Sequence, residues 1–233
     1  MKTEESVKEE RVAAGKAKRI RLTFVDIVLF VVLFMILLFL FAMPFAIAFP
    51  ELKTLAGGAS FYLMMLNEVL MLASGLISAC MVLGFRKLPF SSLGLSFKGW
   101  GRSLLNGALF VVFLYAVGFG LSLLLGAVDV AGVLFSPISL SASLLLYFLV
   151  AVTEEVIGRG FILGRMLDGG VNKFVALFIS AVLFSLMHLF NPGFTFVPFL
   201  NIVLAGCFLG ASYIYTRNLC FPIALHLFWN WLQ

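Results

Sequence analysis

Thr153-Glu154-Glu155-Val156-Ile157-Gly158-Arg159 sets two adjacent carboxylates and a guanidinium inside a run otherwise fit for lipid. Residues 143–152, which lead into it, are almost wholly apolar, and residues 160–163 carry no charge, so the motif belongs to a membrane helix rather than to a loop. A charged side chain at mid-bilayer costs from about 2.5 to more than 10 kcal/mol depending on how it is measured, so this cluster needs a reason to persist. An active site is the first reading.

The surrounding chain sets the class. With 63% hydrophobic and 12% charged residues and a mean hydropathy of +1.14, it falls far below the roughly 25% charge of soluble domains. The expected fold is all-α, a polytopic bundle of about seven membrane helices forming one domain over residues 25–233. The formal charge of +5 is spread over short connections and the first 24 residues, which suits membrane orientation and not nucleic-acid binding. Those 24 residues hold seven Lys/Arg and four Glu and read as a mobile or surface-lying cytoplasmic tail. Cys80, Cys207 and Cys220 show no CxxC spacing and read as packing residues.

Outward from the motif, the apolar runs 25–49, 61–84 and 103–127 precede the motif-bearing span, 140–167, and 172–190 and 194–215 follow it. The run from 25 is too long for a signal peptide. Residues 50–60 read as a short connection, Pro89 and Trp100 mark an irregular or interfacial segment, and residues 128–139 read as external. Arg165 and Lys173 flank a Gly169-Gly170 hairpin, Asn191-Pro192-Gly193 ends a span, and Gly206 and Gly210 are spaced for close helix contact. Residues 221–233 are a seventh apolar helix, short of a full span. The connections bearing Arg86 to Arg102, Arg165 to Lys173, and Arg217 alternate onto the tail's side, which places the N-terminus in the cytoplasm of a multi-pass protein, with the bacterial cell membrane as its expected location.

Three polar sites stand out. Glu155 and Arg159, four apart on a helix, share a face and can pair, while Glu154 points about 100° away. Two neighbouring carboxylates in a low dielectric resist ionising together, and with Glu155 held by Arg159, Glu154 is left as the candidate general base. His188 lies about as far beyond the Gly169-Gly170 turn as Glu154 lies before it, so an antiparallel hairpin brings them to similar depth. His226 and Asn230 share a face of the last helix, but His226 is only about eight residues past Arg217, so that helix must enter deeply or tilt. Blander readings compete: a structural ion pair for Glu155 and Arg159, helix-bridging hydrogen bonds for either histidine, glue between helices for Asn230, and a structural or water-facing role for Asn67 and Glu68.

Taken together, Glu154-Glu155-x-x-x-Arg159, Phe184-x-x-x-His188 and His226-x-x-x-Asn230, the last following Asn218-Leu219-x-x-Pro222-Ile223, resemble the CPBP intramembrane proteases, which include the type II CAAX prenyl endopeptidases and bacteriocin-processing or self-immunity proteins. The resemblance covers about residues 140–233. It implies an endopeptidase in which Glu154 and His188 activate a water, His226 and Asn230 bind the oxyanion, and Glu155 and Arg159 support the site. Its partners would be the lipid bilayer and a membrane-embedded or membrane-associated protein or peptide, prenylated or bacteriocin-like. Two readings of the cofactor stand side by side: a divalent metal such as zinc held by Glu154, His188 and His226, and a metal-free carboxylate–histidine mechanism, which fits these residues at least as well. Against the protease stand a proton-coupled transporter using the same groups as a relay, for which an internal repeat is expected and none is seen, and a non-catalytic immunity or scaffold protein.

Overall fold

The computed structural model describes residues 4–48 and 58–233, among which there is no β-strand. In chain order the helices are α1 (Glu4–Ala48), α2 (Gly58–Phe85), α3 (Trp100–Leu124), α4 (Pro137–Glu155), α5 (Gly164–Asp168), α6 (Lys173–Leu186), α7 (Phe196–Thr216) and α8 (Cys220–Leu232), with a π-helical segment, Val156–Leu163, joining α4 to α5. Five helical runs are long and apolar enough to cross a membrane, at residues 9–45, 61–85, 100–124, 137–168 and 196–216. The other two apolar helices, α6 and α8, have 14 and 13 residues. At 1.5 Å per residue each covers only about 20 Å, short of a 30 Å hydrocarbon core.

Local chemistry fixes the helix ends. Pro137 occupies the first turn of α4, where its missing N–H costs nothing, and Ser136 accepts a hydrogen bond from the Ser139 amide. Asn172 caps α6 by accepting from the Phe174 amide at 2.9 Å. Arg217 closes α7 in the left-handed region at φ 50°. The charged beginning of the chain differs from the expected tail: it continues α1 without a break, although residues 9–19 remain exposed. The expected connection at residues 50–60 lies mostly outside the described residues.

Helix α6 packs on α7, α3 on α8, α1 on α2, and α4 against both α2 and α8. Gly206 and Gly210 set the α6–α7 distance: a Cβ on Gly206 would lie 2.9 Å from the Ala181 Cα, and one on Gly210 2.6 Å from Leu177 Cδ1. The core runs through Phe30, Leu83, Leu93, Phe161 and Leu163, with the Phe30 and Phe161 rings stacked at 4.1 Å. Large apolar side chains such as Val28, Phe39, Leu109, Phe113 and Phe178 point outward, an arrangement suited to lipid and not to water.

Charge is gathered at one end. Asp26, fully buried, receives Arg86 Nε at 2.6 Å and Arg165 Nη2 at 2.7 Å, so one carboxylate ties α1, α2 and α5 together. Arg217 pairs with Asp168 nearby in sequence to Arg165, and the Lys173 ammonium lies 5.7 Å from the Tyr215 ring. The cationic residues of three connections therefore share one end of the bundle.

Candidate active site

The motif helix supplies the centre of the site. Arg159 and Glu155 are both completely buried, and Arg159 Nη1 donates to Glu155 Oε1 at 2.8 Å, the pair that their spacing predicts. Arg159 Nη2 donates to the Gly206 carbonyl at 3.2 Å, and the guanidinium lies 4.1 Å from the centroid of the Phe184 ring. The cation is thus held by a carboxylate, a backbone carbonyl and an aromatic face at once. The helix unwinds into its π-helical segment immediately after the two glutamates. Such segments are rare and are frequent at functional sites.

His188 lies differently from the sequence expectation. The expected span 172–190 places it inside a helix, whereas α6 ends at Leu186 and His188 follows in a turn. Pro192 disfavours helical backbone at Asn191, so the chain leaves the helix before it. His188 Nδ1 lies 2.9 Å from the Phe184 carbonyl. A carbonyl only accepts, so Nδ1 carries the proton, a free carbonyl at the helix end is satisfied, and Nε2 faces the site.

His226 reaches the site because the turn before α8 is itself recessed. The Leu219 amide donates to the Gly94 carbonyl at 3.0 Å and Asn218 Nδ2 to the Lys98 carbonyl at 3.2 Å. Leu219 and Cys220 are buried under this 94–98 segment, and Cys220 Sγ donates to the Ser96 carbonyl at 2.7 Å, a packing contact. Helix α8 therefore starts within the bundle, which resolves the depth mismatch. Its far end is clamped by Tyr115 Oη donating to the Trp229 carbonyl at 3.1 Å and Trp231 Nε1 donating to the Leu140 carbonyl at 3.0 Å.

Two histidines then converge on one carboxylate. His226 Nδ1 lies 2.8 Å from Glu155 Oε1, so its proton is committed there and its Nε2 points to Glu154 Oε2, 3.7 Å away. His188 Nε2 lies 3.8 Å from the same oxygen. Glu154 is partly accessible, at 16%, while Glu155 is sealed. In the neutral histidines, three acceptor atoms face one another across gaps that a single bridging water spans with good hydrogen bonds. Asn230 stands one turn beyond His226, half-buried, and among the described residues makes no hydrogen bond to the other five.

Glu154 Oε2 and the Nε2 atoms of His188 and His226, with oxygen–nitrogen separations of 3.8 and 3.7 Å, are the donors that would hold a zinc ion, since ligands at about 2.1 Å from a tetrahedral ion lie roughly 3.4 Å apart.

Residues 136–232, from the cap of α4 to the end of α8, match the family model described as type II CAAX prenyl endopeptidase Rce1-like. Over this segment the chain is similar to that family, one branch of the CPBP intramembrane proteases. No curated protein and no solved structure matches it. The Rce1-like segment contains every residue of the convergent cluster, and with the five long apolar helices it makes the chain an integral, multi-pass membrane protein. Sequence reasoning did not find the carbonyl of Gly206, for which no side-chain signal exists, nor Asp26, a lone acid early in a span that stands out by its cost in lipid.

Proposed function

We propose that the protein is an intramembrane endopeptidase that hydrolyses peptide bonds of membrane-associated substrates, with prenylated CAAX-type proteins as the first class to test. The observation that supports this most is the convergence of His188 Nε2 and His226 Nε2 on Glu154 Oε2. A water held by Glu154 and His188 has its lone pair directed at a substrate carbonyl. Glu154 takes a proton as the new C–O bond forms, and delivers it to the amide nitrogen as the C–N bond breaks. His226, protonated on Nε2 from bulk water before the attack and keeping that proton throughout, donates to the developing oxyanion together with Asn230. Each such donor contributes about 3 kcal/mol in a dry site. Glu155, itself held by Arg159, fixes the Nδ1 proton of His226 and so aims its Nε2 at the site.

The end of the bundle that carries Arg86, Arg165 and Arg217 faces the cytoplasm in this reading, in line with the positive-inside tendency. The test is cleavage of membrane peptides, some prenylated, by protein in lipid nanodiscs, comparing wild type with Glu154→Gln, His188→Ala and His226→Ala, with and without chelator. Expected are a fall of about 100-fold or more for each variant and no effect of chelator. Chelator inhibition reversed by zinc would replace the metal-free mechanism. Absence of cleavage, with proton flux into liposomes that Glu154→Gln removes, would replace the protease with a transporter.

A further inference from the structure

A cavity of about 340 Å³ opens between α2 and α4, lined by Leu63, Met64, Asn67 and Glu68 on one side and Tyr147 and Val150 on the other. Val150 lies one helical turn before Glu154 and Leu146, which also lines the cavity, lies two, so the cavity follows the same strip of α4 that ends at the catalytic carboxylate. Glu68 Oε2 is buried there with no hydrogen-bond partner. Its carboxylate is also near enough to Glu154 for the two to repel. The Asn67 amide beside it spends its donor on Met71 Sδ at 3.4 Å, a weak acceptor.

Charge pairing in the bundle makes Glu68 exceptional. Asp26 takes Arg86 and Arg165, Asp168 takes Arg217, and Glu155 takes Arg159. Among the described residues of α2, α4 and α5, only Glu68 and Glu154 of the acidic side chains lack an Arg or Lys partner, and Glu68 lines an apolar slot. A buried carboxylate without a partner is costly, and a cation that arrives with an apolar stem answers both features.

We propose that the α2–α4 cavity is a specificity subsite for a lysine or arginine side chain of the substrate near the scissile bond, with Glu68 as its counter-ion. The aliphatic stem lies against Leu63, Met64, Tyr147 and Val150, and the charged head reaches Glu68 Oε2. The arriving cation also relieves repulsion between Glu68 and Glu154. This subsite rests on the endopeptidase reading, but binding and cleavage separate the two.

The experiment measures binding of paired fluorescent membrane peptides to the full-length protein in nanodiscs at low temperature, with lysine or norleucine at each of several positions around the cleavage site. At one position, wild type should hold the lysine peptide about tenfold tighter than its norleucine partner. Glu68→Gln should bring the two within about twofold while leaving norleucine binding unchanged, and Glu68→Lys should transfer the preference to a glutamate peptide. No lysine preference at any position in wild type, its retention in Glu68→Gln, or equal weakening of both peptides by Glu68→Gln would each overturn the subsite. A lysine preference without cleavage of either peptide would keep the subsite and overturn the protease.

Discussion

Glu155 accepts both Arg159 and His226 on one oxygen in a setting sealed from water. Removing one partner of such a pair is worse than removing both, because it strands a charge. Arg159→Met should therefore lower stability by about 3–5 kcal/mol, read as a lower midpoint of thermal unfolding in detergent. The double variant Glu155→Met with Arg159→Met should recover much of that loss and yet remain inactive, since His226 then has no carboxylate to fix its Nδ1 proton. Equal stability of the single and double variants would remove the ion pair from this account. Glu154, partly accessible and without a cation, should behave oppositely: Glu154→Gln should abolish cleavage while leaving the unfolding midpoint within a degree or two, because no structural hydrogen bond is lost.

Helix geometry places these groups. The α6–α7 contact brings the Gly206 carbonyl to Arg159, so the closeness of two helices is part of the site. Gly206→Leu would meet the Ala181 backbone and push α7 away, and a drop in kcat of about tenfold or more is expected as Arg159 loses its acceptor. Gly118→Leu in α3, where a Cβ meets nothing within 4 Å, is the control and should leave cleavage unchanged. The two helices too short to span carry the two histidines, or end just before one. A helix end inside the bundle frees a carbonyl for His188 Nδ1 and a recessed start brings His226 to the depth of Glu154.

The whole bundle is joined at its charged end by Asp26. Asp26→Asn leaves Arg86 and Arg165 sharing a neutral amide, and a loss of about 1–3 kcal/mol is expected, visible as earlier proteolysis of the α1–α2 hairpin in the folded protein. Removal of residues 1–19, by contrast, should leave cleavage and unfolding unchanged, because residues 9–19 contact little of the bundle. A large loss of activity on that truncation would assign the start of α1 a role in substrate capture.

Sequence alone determined the membrane class and the helical fold, because apolar runs of spanning length leave no other way to satisfy the backbone in lipid. It also singled out Glu154, Glu155, Arg159, His188, His226 and Asn230, since charge and imidazole inside such runs are costly enough to be conspicuous, and the Glu155–Arg159 pair follows from a local spacing. Tertiary structure decided how the distant groups meet. That His188 leaves its helix, that His226 as well as Arg159 engages Glu155, that the Gly206 carbonyl receives Arg159 Nη2, and that Asp26 and Glu68 differ so sharply in their partners are facts of packing between distant segments. Hydrophobic periodicity records how each helix is solvated, whereas the depth at which a helix starts and the face it turns to its neighbour are set by side-chain volumes and hydrogen bonds that the linear pattern does not carry.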